Sequence, residues 1–292
     1  MSYNKLSVLL LLSMILSCFA QQDVAYLFSH GLGASGQQAK DYTITPFNTQ
    51  WIIQEPLVYF DFPDVGVDGF KPEHTSLGQD NEIQALKNAY EQTIKSDKKV
   101  VLMGLSRGAS TALNLLGTQR VGHVVAGIFE SPFDSIVKML KRRVSQHKLW
   151  WIPQFVMHKA PELIFKKYKS DKLSPIDCIS RISPALPLLF ICSLEDTLID
   201  AEGTCDLYLT LKKAGYEHVY LLLLNKGAHA QLLWHNDREW YVQVVHAFYE
   251  KYNLPHEKEF AEKGRHLLAQ CQPDVTTVTK ALQLKRSFIN EK

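Results

Sequence analysis

The stretch Lys99-Val100-Val101-Leu102-Met103-Gly104-Leu105-Ser106-Arg107-Gly108 decides the fold of this chain. Its apolar first half predicts a buried strand, and the small residues around Ser106 predict a sharp turn into a helix. Such a turn exposes a serine hydroxyl, and the residues beside it must be small because larger ones would clash. Gly104 and Gly108 meet that need. Ser106 is therefore the candidate nucleophile, and the Arg107 N–H, at the start of the helix, is a candidate oxyanion donor.

Apolar runs on both sides of this stretch predict further strands. They are near-continuous and not alternating, which is typical of strands covered on both faces of a sheet. The predicted strands are 24–29, 57–62, 99–104, 124–129, 187–192 and 219–224. Helical patterns separate them at 80–94, 110–116, 202–214 and 240–252. The alternation predicts an α/β fold, with a mostly parallel sheet and helices on both of its faces.

The loop after the first predicted strand reads His30-Gly31-Leu32-Gly33-Ala34-Ser35. An acyl-transfer site needs a second backbone donor for the oxyanion, and glycines let the main chain approach the substrate. The Leu32 N–H is the predicted second donor, with the Gly33 N–H as the alternative. We expect His30 to hydrogen-bond this loop and not to act as a general base.

The base and its carboxylate partner should follow late strands, because the carboxyl ends of parallel strands meet at one edge of the sheet. His229 ends the loop after 219–224 and is the predicted general base. Asp196 follows 187–192 and is the predicted acid that fixes the tautomer of His229. Rivals remain: His30, His218 and His235 for the base, and Glu195, Asp200 and Glu130 for the acid.

With these motifs, residues 24–252 resemble the α/β-hydrolase fold, in which the nucleophile, acid and histidine follow in this chain order. Residues 131–133, 174–177 and 188–196 resemble more particularly the prolyl oligopeptidase group and related single-domain hydrolases. The resemblance implies hydrolysis of an ester, thioester or amide through an acyl-enzyme, with neither cofactor nor metal. The chain enters the fold at what resembles the third strand of the family, so the first two strands are expected to be missing.

The expected activity is that of a carboxylesterase or lipase-like enzyme acting on a small acyl substrate. A peptidase or thioesterase is the alternative, although the chain has no room for the propeller that prolyl oligopeptidases use. A hydrolase-fold protein that binds a partner without catalysis is a further alternative. The complete set of catalytic residue types argues against it.

Residues 133–182, here called the basic insert, interrupt the strand–helix alternation and look helical. They contain eleven Lys and Arg against four Asp and Glu, a net charge of +7, whereas the rest of the chain carries −5. In the family this position commonly holds a lid. One interpretation is a lid that contacts an anionic surface, a membrane or an acyl tail. The other is a solvated helical face whose aromatic residues, Trp150, Trp151, Phe155 and Phe165, pack on the body.

Residues 1–20 predict a signal peptide, because Lys5 precedes an apolar run that is short for a bilayer span and ends in Cys18-Phe19-Ala20. Export, by secretion or to a periplasm, is the expectation; an uncleaved membrane anchor or a lipoprotein site at Cys18 are the alternatives. Residues 21–255 then form the hydrolase domain, and 256–292 form a helical tail.

The composition excludes several classes of protein. Among 292 residues, 46% are hydrophobic and the net charge is +2, which rules out a disordered tail or a collagen. No nucleic-acid partner is expected, because no binding module is recognised. Without Cys18, four cysteines remain that could form two disulfides, with Cys192 more typical of a buried thiol.

Overall fold

The computed structural model describes residues 23–44, 57–66, 69–146, 149, 151–234 and 238–290. The predicted signal peptide, Cys18, Trp150 and His235 lie outside these residues. In the described residues the strands are β1 (Val24–Ser29), β2 (Leu57–Tyr59), β3 (Val65–Gly66), β4 (Gly69–Phe70), β5 (Lys99–Leu105), β6 (Val124–Glu130), β7 (Leu188–Ser193) and β8 (Val219–Leu224). All six predicted strands are present, although the second ends at Tyr59 instead of residue 62.

The helices of the described residues fall between and after these strands. They are α1 (Gly36–Ile44), α2 (Asp80–Thr93), α3 (Arg107–Thr118), α4 (Ile136–Gln146), α5 (Gln154–Ile164), α6 (Pro175–Cys178), α7 (Ala201–Lys213), α8 (Arg238–Lys251), α9 (Lys258–Gln270) and α10 (Val275–Asn290). Short 3-10 turns occur at Pro72–His74, Ile94–Ser96, Ile179–Arg181 and Leu232–Trp234.

The main sheet has the strand order β2-β1-β5-β6-β7-β8, and every neighbouring pair is parallel. Buried residues of α1, α8 and α9 pack on one face of the sheet. Those of α2, α3 and α7 pack on the other face. The strands are therefore buried on both sides, which explains their continuous apolar sequences. The family's first two strands would precede residue 23, so their absence stays a prediction.

All six strands end at the same edge of the sheet, and this positions the candidate residues. Ser29 is in register with Gly104, Leu105 with Glu130, and Ser193 with Leu224. The loops that carry Leu32, Ser106, Asp196 and His229 leave the sheet directly after these positions.

The basic insert contains α4, α5 and α6 and has a small apolar cluster of its own. Phe133, Ile136 and Tyr168 of the insert pack there with Leu77 and Ile199 of the body. The tail after Pro255 forms α9 and α10, and α9 packs along α8. Nowhere in the described part of the chain is a helix both long and apolar enough to cross a membrane.

Cys178, Cys192, Cys205 and Cys271 are free and buried. The two possible disulfides therefore do not form, and Cys192 is a buried thiol as expected. Burial raises the pKa of Cys178 to about 11 and that of Cys271 to about 12, so both are protonated at neutral pH.

Candidate active site

Ser106 lies at the sharp turn between β5 and α3, with φ 55° and ψ −119°. Both predicted glycines are needed there. A Cβ at Gly104 would lie 2.6 Å from the Ala109 backbone, and one at Gly108 would lie 2.1 Å from the Ser29 carbonyl oxygen. The Ser106 N–H donates to the Glu130 carbonyl at 2.8 Å, which fastens the turn to β6. The strained serine is thus held by close backbone packing on both of its sides.

Asp196, His229 and Ser106 form one hydrogen-bonded chain. Asp196 Oδ2 lies 2.7 Å from His229 Nδ1, and His229 Nε2 lies 2.9 Å from Ser106 Oγ. The other oxygen of Asp196, Oδ1, accepts the N–H groups of Leu198 and Ile199, each at 2.9 Å. A carboxylate at Nδ1 holds the proton on that nitrogen and leaves Nε2 free to accept the serine proton.

The rival acids and bases are occupied elsewhere. Glu195 accepts the Gly227 N–H at 3.1 Å, and Asp200 caps α7 and pairs with Lys285. His218 lies directly before β8, at the opposite edge of the sheet from Ser106, and its Nδ1 is 3.2 Å from the Tyr252 hydroxyl.

His30 is a structural residue of the loop, as expected. The Phe62 N–H donates to its Nε2, so the ring proton is on Nδ1 and is donated to the Gly31 carbonyl at 2.9 Å. Burial and the charge of Arg107 lower the pKa of His30 to about 4, so the ring is neutral at physiological pH.

The loop of residues 31–34 packs directly against the serine. A Cβ at Gly31 would make ordinary contact with the Ser106 Cβ at 3.7 Å. Ala34 donates its N–H to the Gly31 carbonyl at 3.4 Å, and Gly33 has φ 73°, the combination found in a type II turn. In such a turn the N–H groups of Leu32 and Gly33 are not used by the turn itself. Both candidates for the second oxyanion donor therefore remain.

The side chain of Arg107 holds this loop, a role that the sequence reasoning missed. The buried guanidinium donates to the Gly31 carbonyl at 3.1 Å and lies 4.4 Å from the centre of the Phe62 ring. It pairs with Asp64 at 2.5 Å and with Glu82 at 3.3 Å, and both carboxylates are fully buried. The Arg107 side chain thus fixes the loop of residues 31–34, and its N–H lies at the start of α3. No local pattern in the sequence marks this role, because it depends on carboxylates 43 and 25 residues away.

Glu130 is another buried carboxylate beside the candidate site. The hydroxyls of Tyr42 and Tyr241 donate to it at 2.8 and 2.9 Å, and the Leu233 N–H donates in turn to the Tyr42 oxygen at 3.2 Å. Through Tyr42, Glu130 is therefore connected to the loop that follows His229. Burial is the main reason that its pKa is raised to about 7.

Glu130 should make the fold less stable as the pH rises. Because its pKa is about 7 in the fold against the usual 4.5, the unfolded chain releases this proton first. The free energy of unfolding should therefore fall between pH 4.5 and pH 7, by on the order of 3 kcal/mol, and level off above. Glu130→Gln should remove that fall in urea unfolding measured at pH 5 and pH 8. Glu217→Gln, at an exposed position, is the control, and equal pH dependence in wild type and Glu130→Gln would contradict the assignment.

The loop after Asp196 is held from two directions. Arg143 of α4 donates to the Leu198 carbonyl at 2.7 Å, and Gln146 donates to Asp200. From the tail, Lys285 of α10 pairs with Asp200 at 3.1 Å and lies 3.5 Å from the Asp196 carbonyl. Both the basic insert and the tail therefore contact the loop that carries the candidate acid.

In the described ranges no group of three His, Cys, Asp or Glu side chains is placed to hold a metal ion. The candidate site has an oriented serine hydroxyl, a histidine that can accept its proton, and backbone N–H groups at a helix start and a tight turn.

Comparison with known proteins places the chain in a family. Residues 77–254 match the model of the prolyl oligopeptidase family, peptidase S9, and no curated protein matches the chain. Among solved structures, the chain is similar to the esterase Pf2001 of Pyrococcus furiosus, with 20% identity over 79% of this chain and 82% of that one and a TM-score of 0.59.

Two further structures share the fold. The acylaminoacyl peptidase of Pyrococcus horikoshii is 19% identical over 82% of this chain and 39% of that one, with a TM-score of 0.56. The α/β-hydrolase GrgF of a Penicillium species is 16% identical over 80% of this chain and 91% of that one, with a TM-score of 0.56. The predicted α/β-hydrolase fold class is confirmed.

Proposed function

The chain belongs to the prolyl oligopeptidase family and is a serine hydrolase of the α/β-hydrolase type, and on that basis we propose that it cleaves an ester through an acyl-enzyme on Ser106. The observation that carries the proposal is the continuous hydrogen-bonded chain from Asp196 through His229 to Ser106. The catalytic roles assigned to these three residues are part of the proposal.

In the first step, Ser106 Oγ attacks the acyl carbonyl carbon while His229 Nε2 takes the hydroxyl proton. Asp196 keeps Nδ1 protonated and stabilises the imidazolium that forms. His229 then gives its proton to the leaving alkoxide, and the carbon–oxygen bond to the alcohol breaks. A water molecule then attacks the acyl carbon while His229 takes one of its protons. The bond to Ser106 Oγ breaks, His229 returns the proton to the serine, and the carboxylic acid is released.

The oxyanion of each tetrahedral intermediate would be bound by two backbone donors. The Arg107 N–H belongs to the first residue of α3, where no carbonyl of the helix can accept it. The Leu32 N–H is the second donor in the proposal. Preorganised donors of this kind are worth about 3–4 kcal/mol each toward the barrier.

An ester with an apolar acyl group fits the surroundings of the site best. Leu32, Leu198 and Trp234 are exposed apolar residues, and they follow β1, Asp196 and His229 respectively in the loops of the site. Such a rim favours apolar substituents. The matched esterase is covered over most of its length, whereas 39% of the peptidase is covered, and this also favours ester over peptide. A peptidase or thioesterase is the second candidate, because the matched family is named for a peptidase.

Export remains part of the proposal and rests on the sequence of residues 1–20 alone. Cleavage after Ala20 would give a mature chain that begins at Gln21. Mass spectrometry of the exported protein would test this, and retention of Met1 would contradict it.

The test of the proposed function is a matched pair of substrates. The chain from Gln21 onward contains every described residue. One sample of it would be labelled with a fluorophosphonate probe, and a separate, untreated sample would be assayed with p-nitrophenyl butyrate and butyryl p-nitroanilide. We expect labelling of Ser106 and a kcat/KM for the ester about a hundredfold or more above that for the amide. An amide rate equal to the ester rate would favour the peptidase. A folded protein with neither labelling nor turnover would leave a binding role.

A further inference from the structure

Four large apolar side chains on and just before α5 are mostly exposed. Trp151 lies just before the helix, and Phe155, Leu163 and Ile164 lie on it; their exposed fractions are 66, 68, 78 and 59%. Phe155 and Leu163 are eight residues apart and lie within about 80° of each other around the helix, so they form one apolar stripe along α5. Trp151 lies in the turn before the helix. These four residues are called the exposed α5 face below.

Packing of the insert does not account for this face. Met157 and Pro161 are the buried residues of α5 and form its inward side. Tyr168, just beyond the helix, belongs to the small apolar cluster of the insert. Of the two interpretations of the insert, packing of its aromatics on the body does not describe Trp151 and Phe155. An apolar stripe opposite a buried side marks a surface for a partner.

The charge around the exposed α5 face is strongly positive. Residues 151–172 contain five lysines and two acids. Lys159 lies within the stripe and pairs with Glu162 at 2.9 Å, and Lys166, Lys167 and Lys169 are exposed directly after the helix. Exposed aromatic and aliphatic side chains with lysines beside them are the composition of helices that lie in the headgroup region of a bilayer. A soluble acidic partner would account for the lysines but not for four apolar residues.

We propose that the exposed α5 face docks the protein onto an anionic lipid surface, with Phe155 and Leu163 entering the acyl boundary and the lysines facing lipid phosphates. This goes beyond the proposed hydrolysis and does not depend on it. The face belongs to the same insert as Arg143 and Gln146, which hold the loop after Asp196. Docking would therefore place the candidate site close to a source of acyl substrates.

The experiment is sedimentation with vesicles, using the chain from Gln21 onward in a Ser106→Ala background so that hydrolysis plays no part. We expect binding to phosphatidylcholine vesicles that contain about one quarter phosphatidylglycerol, and binding about tenfold weaker to phosphatidylcholine alone. Phe155→Ser/Leu163→Ser should weaken binding about tenfold or more, because the two serines bury much less apolar area in the bilayer than the phenylalanine and leucine do. Lys166→Glu/Lys167→Glu should weaken it by a similar factor.

Matched changes elsewhere on the surface are the controls. Trp240→Ser removes an exposed aromatic residue of α8, and Lys213→Glu/Lys280→Glu reverses two exposed lysines outside the insert; neither should alter vesicle binding. Circular dichroism of all variants would show that each is folded. The proposal is overturned if the parent chain does not bind anionic vesicles, or if the controls lose as much as the α5 variants. It is equally overturned if Phe155→Ser/Leu163→Ser converts a dimer to a monomer in sedimentation velocity, because the face would then belong to a second copy.

Discussion

Ser106→Ala should lower kcat for ester hydrolysis by a factor of about 10⁴ to 10⁶ and leave KM within about threefold. The hydroxyl group is the only part lost, so the proposed oxyanion donors and the exposed apolar residues around the site remain and still bind the ester. Steady-state rates with p-nitrophenyl butyrate measure this effect. His229→Ala should cost nearly as much, and the double variant should be little worse than either, because the residues act as one unit.

The control is Ser183→Ala, which removes an exposed serine hydroxyl and should keep full activity. If the Ser106→Ala protein retained more than about one hundredth of the wild-type kcat, Ser106 would not be the nucleophile. The nucleophile would then have to be sought among other residues.

Arg107→Met should be the most destabilising single change in the site, by about 3–5 kcal/mol. It removes the cation from between Asp64 and Glu82, and both carboxylates are fully buried. It also removes the donor that holds the Gly31 carbonyl, so esterase activity should fall even in the folded fraction. Urea-induced unfolding, with esterase activity measured on the same samples, would separate the two losses.

Neutralising the carboxylates gives the decisive comparison for Arg107. Asp64→Asn/Glu82→Gln in the Arg107→Met background should recover part of the lost stability, because fewer buried charges are then left unpaired. Arg120→Met, at an exposed position, should change the free energy of unfolding by less than about 0.5 kcal/mol. If Arg107→Met cost no more than that control, the buried ion pairs would not support the site.

The sheet and the central residues of the site were predictable because each depends on a local signal. A strand covered on both faces must be apolar throughout, and the turn at Ser106 tolerates nothing larger than glycine at Gly104 and Gly108. Because the strands are parallel, their carboxyl ends meet at one edge of the sheet, and this brings the loops of Asp196 and His229 beside Ser106. None of these steps requires knowledge of how side chains pack.

The supporting residues could not be predicted, because their partners are distant in sequence. Arg107 pairs with an acid 43 residues away, in a segment of short and irregular strands. Glu130 was recognised as a rival acid, but its partners Tyr42 and Tyr241 lie 88 and 111 residues from it on two helices. Hydrophobic periodicity gives no information on which of many acids becomes buried beside which cation.

Lys285 has a consequence for the order in which the protein is made. Asp196 leaves the ribosome 89 residues before Lys285, which contacts the Asp196 carbonyl and the neighbouring Asp200. α10 follows Ser106, Asp196 and His229 in the chain, so it can dock against the loop after Asp196 only when all three residues have already been synthesised. The contacts from Lys285 are therefore added to that loop later than the residues that the loop positions.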